Sequence, residues 1–129
     1  MKEKILFVDD NESLLELANN VLSKSGYECK TAANGLEAIK AIENGFKPDL
    51  VITDVVMPVL NGLGLANQLR LMGMMVPIIF ISGHLGSHKS EDLEQFSNYI
   101  IGKPFEILAL TNIVAEVLEK AKSQPCVAS

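Results

Sequence analysis

The sequence predicts an α/β fold: a parallel sheet covered by helices on both faces, with right-handed crossovers. Three observations predict it. Five short apolar runs, rich in β-branched residues, alternate with five segments of helical period, and a strand comes first. Glycine, often with a proline a few residues on, separates helix from strand at Gly26, at Gly45 with Pro48, and at Gly73 with Pro77. The run Leu50-Val51-Ile52 shows no polar alternation, as a strand buried on both faces requires.

The elements follow in order. Lys4–Val8 reads as a buried strand ending at Asp9-Asp10. Glu12–Ser25 reads as a helix with Leu14, Leu17, Ala18, Val21 and Leu22 on its inner stripe, closed by Gly26. Tyr27–Ala32 alternates only partly and belongs at a sheet edge, and Asn34-Gly35 is a turn signal. The helix Leu36–Asn44 turns Ile39 and Ile42 inward, and the strand Leu50–Thr53 follows. Pro58 keeps Met57 out of the helical region, so the next helix, Gly62–Met72, starts late. Asn61 is its cap, and Leu65, Ala66 and Leu69 are its core residues. Strand Ile78–Ile81 leads to Ser82. The segment Ser87–Phe96 is the poorest helix, with only Leu93 and Phe96 for the core, so low local stability is expected there. Strand Tyr99–Ile101 precedes Lys103-Pro104. The helix Glu106–Lys122 packs through Leu110, Ile113, Val114, Val117 and Ala121. Residues 1–122 thus form one domain, and 123–129 read as a tail or the start of a linker.

Composition narrows the function. With 129 residues, 48% apolar and 21% charged, the chain can bury a sizeable core. A net charge of −5 without a basic stripe argues against direct nucleic-acid binding. No apolar run approaches the roughly 20 residues of a membrane span. The start, MKEKILFVDDNE, brings acids too early for a signal peptide. Cys29 and Cys126 provide neither a disulfide framework nor zinc spacing, which fits a reducing cytoplasm. His84 and His88 are spaced i,i+4 but lack a third ligand.

The chemistry lies just past the strands. Asp9 and Asp10 follow the first, Asp54 the third, Ser82 the fourth and Lys103 the fifth. Parallel strands bring their carboxyl ends to one edge, where ligands bind in open α/β sheets. Each residue alone has a plain reading: a solvated strand end, a turn hydroxyl, a surface ion pair. Together they are the set that phosphoryl chemistry needs. Three carboxylates in one crevice repel, and a divalent cation with hard oxygen ligands and room for water, Mg²⁺, removes the repulsion. Lys103 adds positive charge and Ser82 a hydroxyl donor, completing a cradle for a phosphoryl group.

The stretches ILFVDDNE, AANGLEAI, PDLVITDVVMP followed by NG, PIIFISG and KPF resemble the receiver domains of two-component response regulators over residues 3–121. The resemblance implies a flavodoxin-like (βα)5 three-layer sandwich of strand order 2-1-3-4-5. It implies that Asp54 takes a phosphoryl group from a phosphohistidine on a sensor histidine kinase or a histidine phosphotransfer protein. Asp10 would hold Mg²⁺ directly, Asp9 mainly through water, and the Val56 carbonyl would complete the site. Ser82 and Lys103 would hold the phosphoryl oxygens, with a cis Lys103–Pro104 peptide. The phosphorylated domain would then switch the surface of segment 87–96, the fifth strand and the last helix toward an effector domain or protein, a phosphorylation-dependent homodimer being one such outcome. The chain is expected to be regulatory rather than an enzyme, while assisting its own phosphorylation and dephosphorylation.

One position departs from the family pattern. The aromatic often found three places before the lysine is Ile100 here, and Tyr99 sits one place earlier. Either the fifth strand carries a bulge, or the domain switches without that aromatic. Three rivals fit less well. A receiver that no longer uses phosphate would be expected to lack an acid or the lysine. An aspartyl phosphohydrolase commonly carries an acid two places after its nucleophile, where this chain has Val56. A flavin-binding protein would not place Asp9-Asp10 against a phosphate.

Overall fold

Period-two and period-3.6 patterns set the layers. The computed structural model describes residues 3–55, 61–82, 99–102 and 107–123. Within them lie β1 (Lys4–Val8), α1 (Glu12–Lys24), β2 (Glu28–Ala32), α2 (Gly35–Glu43), β3 (Leu50–Asp54), α3 (Gly62–Leu71), β4 (Ile78–Ser82), β5 (Tyr99–Gly102) and α4 (Ile107–Ser123). The strands are all parallel, in the order β2-β1-β3-β4-β5. That is the doubly covered sheet expected, with β2 at an edge. The expected helix 87–96 lies outside the described residues, among which there are four helices.

Side chains that alternate along each strand feed two separate cores. Leu6, Val8, Val51 and Phe80 pack with Ala38 and Ile39 of α2 and with Leu65, Ala66 and Leu69 of α3. Ile5, Phe7, Ile52, Ile79 and Ile81 pack on the other face with Ala18 and Leu22 of α1 and Leu110, Val114, Val117 and Leu118 of α4. Every residue of β3 is buried, because it is the central strand and is covered on both faces. Each fully buried Leu, Val or Ile there contributes ~1.5–3 kcal/mol over an exposed one. The entry to the sheet is clamped as well. Lys4 N–H donates to Asp49 Oδ2 (2.8 Å), and Asp49 N–H donates to the Lys4 carbonyl (2.7 Å).

Three local expectations are corrected. Leu17 is 46% exposed, and Leu15 takes its place beside Leu14 on the inner stripe of α1. At about 100° per residue, Leu17 lies a quarter-turn from Ala18, whereas Leu14, Leu15 and Leu22 fall on either side of it. Asn34-Gly35 is the start of α2 rather than a free turn. Asn34 Oδ1 accepts from Glu37 N–H (2.9 Å), and Glu37 Oε1 accepts from Ala33 N–H (3.1 Å), a reciprocal cap. Three strands, β3, β4 and β5, run one residue longer than expected. Asp54 still pairs with Ile81, and Ser82 with Gly102, so both polar residues belong to the sheet itself. Asn61 is the cap of α3, its Oδ1 accepting from Gly64 N–H at 2.8 Å. Gly26 adopts φ 98°, the left-handed conformation that closes α1.

Candidate functional site

A parallel sheet gathers its carboxyl ends, and the acids follow from that. Asp9 directly continues β1, and its N–H donates to the Ala32 carbonyl at the end of β2 (3.1 Å). Asp54 is the last residue of β3. Asp9, Asp10 and Asp54 each offer a carboxylate oxygen, and the three oxygens lie within 4.8 Å of one another. Asp9 is fully buried and Asp54 is 6% exposed, while Asp10 is exposed. The site therefore has a buried floor and an open mouth.

Neighbouring backbone orients the floor. Asn11 caps α1 with its side chain, accepting from Ser13 N–H (3.1 Å) and Leu14 N–H (3.3 Å). Its own N–H donates to Asp9 Oδ1 at 2.9 Å. One residue thus starts the helix and aims the buried acid, and the sequence reading gave Asn11 no part. Its signal was present as an Asx residue between the paired acids and an amphipathic run. Thr53 was missed too. It is buried, and its Oγ1 donates to the Asp54 carbonyl at 2.9 Å. The donor set is oxygen only, carboxylate-rich and close-set, which suits a hard divalent cation such as Mg²⁺.

The other expected residues stand differently. Ser82 ends β4 at the same sheet edge, paired with Gly102, and only its backbone is described. Val56, Lys103, Pro104, His84 and His88 lie outside the described residues. Ile79–Ser82 pair with Tyr99–Gly102 one for one, so no bulge interrupts those pairs. Ile100 packs on the core beside α2 and α3, and Ile101 on the core beside α1 and α4.

The chain matches the family model described as the response regulator receiver domain over residues 5–115. It belongs to that family. It is 34% identical over 128 residues to the alkaline phosphatase synthesis transcriptional regulatory protein PhoP of Bacillus subtilis, covering 95% of this chain and 51% of that one. Similarity to the sensor kinase CckA of Brucella abortus is 32% over 118 residues, covering 90% of this chain and 12% of the kinase. This receiver domain therefore spans about half the length of one curated relative and a small part of another. Among solved structures, it superposes with a TM-score of 0.77 on the Thermotoga maritima response regulator TrrA in complex with Mg²⁺–BeF, at 32% identity and covering 89% of this chain and 98% of that one. Fold and family thus agree with the sequence reading, and no helix among the described residues is long and apolar enough to cross a membrane.

Proposed function

We propose that Asp54 is the residue on which this receiver domain accepts a phosphoryl group. A carboxylate oxygen of Asp54 would attack the phosphorus of a phosphohistidine. The new P–O bond forms as the P–N bond breaks, and the imidazole leaves with the electron pair and takes up a proton. The observation that carries the reading is the convergence of Asp54 with Asp9 and Asp10, their oxygens within 4.8 Å at the carboxyl edge of the sheet. Asp54 is held at the end of the central strand, so its carboxylate meets the donor with little freedom to lose.

Asp9, Asp10 and Asp54, with the Val56 carbonyl, would hold Mg²⁺. When bound, the ion supplies positive charge against the phosphoryl oxygens. Ser82 and Lys103 would take those oxygens from the other side, which makes the domain an assistant in its own phosphorylation without being a dedicated enzyme. Asn11 contributes by keeping Asp9 turned into the site. The donor would be a sensor histidine kinase or a histidine phosphotransfer protein in the cytoplasm. The TrrA complex with Mg²⁺–BeF and the occurrence of the same domain in a regulator and a kinase support this placing. Output would pass through segment 87–96, β5 and α4 to an effector domain or protein, with residues 123–129 as tail or linker.

Intact-mass measurement tests the acceptor. With Mg²⁺ and acetyl phosphate, the chain gains one phosphoryl group and Asp54→Asn gains none while keeping its fold. Equal labelling of the two would remove Asp54 from the role.

A further inference from the structure

Gly62, the first residue of α3, lies directly against the main chain of Asp54. A Cβ built on Gly62 would collide with the Asp54 carbonyl oxygen and would stand 3.0 Å from Val55 Cα and 3.1 Å from the Asp54 carbonyl carbon. All three are backbone atoms of the central strand and the residue after it, so no flexible side chain can turn away. Backbone angle is not the reason for glycine here, because Gly62 is not among the positive-φ glycines, Gly26, Gly45 and Gly73. The reason is space.

Other contacts hold this peptide and the carbonyl after it. Gly62 N–H donates to the Val55 carbonyl (2.9 Å), Val55 N–H donates to the Ile81 carbonyl (2.9 Å), and Thr53 Oγ1 donates to the Asp54 carbonyl (2.9 Å). The Asp54–Val55 peptide is thereby held by hydrogen bonds from β4 and from its own strand, while the start of α3 abuts it and holds the next carbonyl, that of Val55. We infer that Gly62 is a positioning residue for phosphoryl transfer, a backstop of α3 against the Asp54 peptide that sets where the acceptor carboxylate stands, with Thr53 as its partner on the same carbonyl. The inference rests on Asp54 being the acceptor. It adds that the acceptor's main chain cannot move without carrying the start of α3.

Gly62→Ala separates positioning from general stability, because the two pull apart. Alanine favours a helix over glycine, so a role confined to forming α3 predicts a variant at least as stable and labelled at the parent rate. A positioning role predicts slower labelling in a folded protein. The chain, Gly62→Ala, Thr53→Val and Asp54→Asn are each incubated with saturating Mg²⁺ and acetyl phosphate, below their melting transitions. Labelling rates are read by intact mass, and the amide spectrum is recorded alongside. The expected result for folded Gly62→Ala is a labelling rate at least fivefold lower, with the Val55 amide signal displaced and those of Glu28–Ala32 in place. A smaller loss, or an unmoved Val55 signal, overturns the inference. If Gly62→Ala does not fold, Thr53→Val decides: a rate at least twofold lower supports the backstop, and a smaller change overturns it. Failure of the parent chain to take label, or equal labelling of Asp54→Asn, defeats the acceptor assignment and this inference with it. A parent labelled only through Asp54, beside an unaffected Gly62→Ala, defeats the inference alone.

Discussion

Two of the clustered acids are buried and the third stands in the open, and that difference decides how each can be tested. Like charges within 4.8 Å repel, and Asp10 is the one whose removal leaves no hole in the core. Asp10→Asn should therefore stabilise the metal-free domain by ~0.5–2 kcal/mol at low salt, read from denaturant midpoints, and the gain should shrink as salt rises. Mg²⁺ at ten times its dissociation constant should add ~1.4 kcal/mol to the parent chain, roughly 5 °C in melting temperature, and less to the variant. A parent melting curve indifferent to millimolar Mg²⁺ would count against the cluster. Cys29 gives a pH prediction. Desolvation by burial pushes its thiol up to about 11 from 9.0. Between those values the unfolded chain has lost the proton and the folded chain keeps it. The contribution of Cys29 to stability is thus complete below about pH 9 and lost as pH rises through 11. In Cys126→Ser, alkylation of Cys29 at pH 8 should run at least tenfold slower than in urea-unfolded chain. Equal rates would show the thiol to be open.

At the scale of elements, caps and stripes carry the energetics. Asn61 starts α3 at the position that sets Gly62 against Asp54, through one side-chain bond to Gly64 N–H. Asn61→Ala should cost ~1 kcal/mol and is read from thermal or denaturant unfolding. The two leucines of α1 should behave in opposite ways. Leu22 is fully buried in the core shared with α4, so Leu22→Ala should cost ~2–5 kcal/mol. Leu17 is 46% exposed, and Leu17→Ala should change stability by no more than ~0.5 kcal/mol. Similar losses for both would mean that Leu17, like Leu22, faces the core.

Across the whole molecule, stability should follow sheet position. β1 and β3 have a strand on either side, whereas β2 pairs only with β1. Edge backbone groups are exposed, and its alternating pattern leaves Glu28 and Lys30 in solvent. Native-state hydrogen exchange should find the slowest amides in β1 and β3 and the fastest strand amides on the outer edge of β2. Protection of β2 equal to that of β3 would reveal a further strand or partner on that edge. Asp9 follows β1 and Asp54 ends β3, so the two buried acids of the cluster should share the protection of that pair.

The layers are legible in the sequence, because periodicity is local. Leu50-Val51-Ile52 announced a strand buried on both faces, the partial alternation of Tyr27–Ala32 an edge, and Leu65, Ala66 and Leu69 the inner face of α3. The convergence of Asp9, Asp10 and Asp54 was readable too, since any all-parallel sheet must gather its carboxyl ends. Leu17 was misplaced because an apolar stripe read from sequence is wider than the arc a sheet covers. What no local pattern could supply was contact between distant backbones. That Asp54 still belongs to β3 depends on Ile81, 27 positions away, whose carbonyl takes the next N–H. That Asn11 aims Asp9, and that Gly62 must lack a side chain because the Asp54 carbonyl fills the space, depend on where the chain returns in three dimensions. Sequence carries the chemistry of each residue and the period of each element; the distance between two atoms far apart in the chain exists only after packing has brought their elements together.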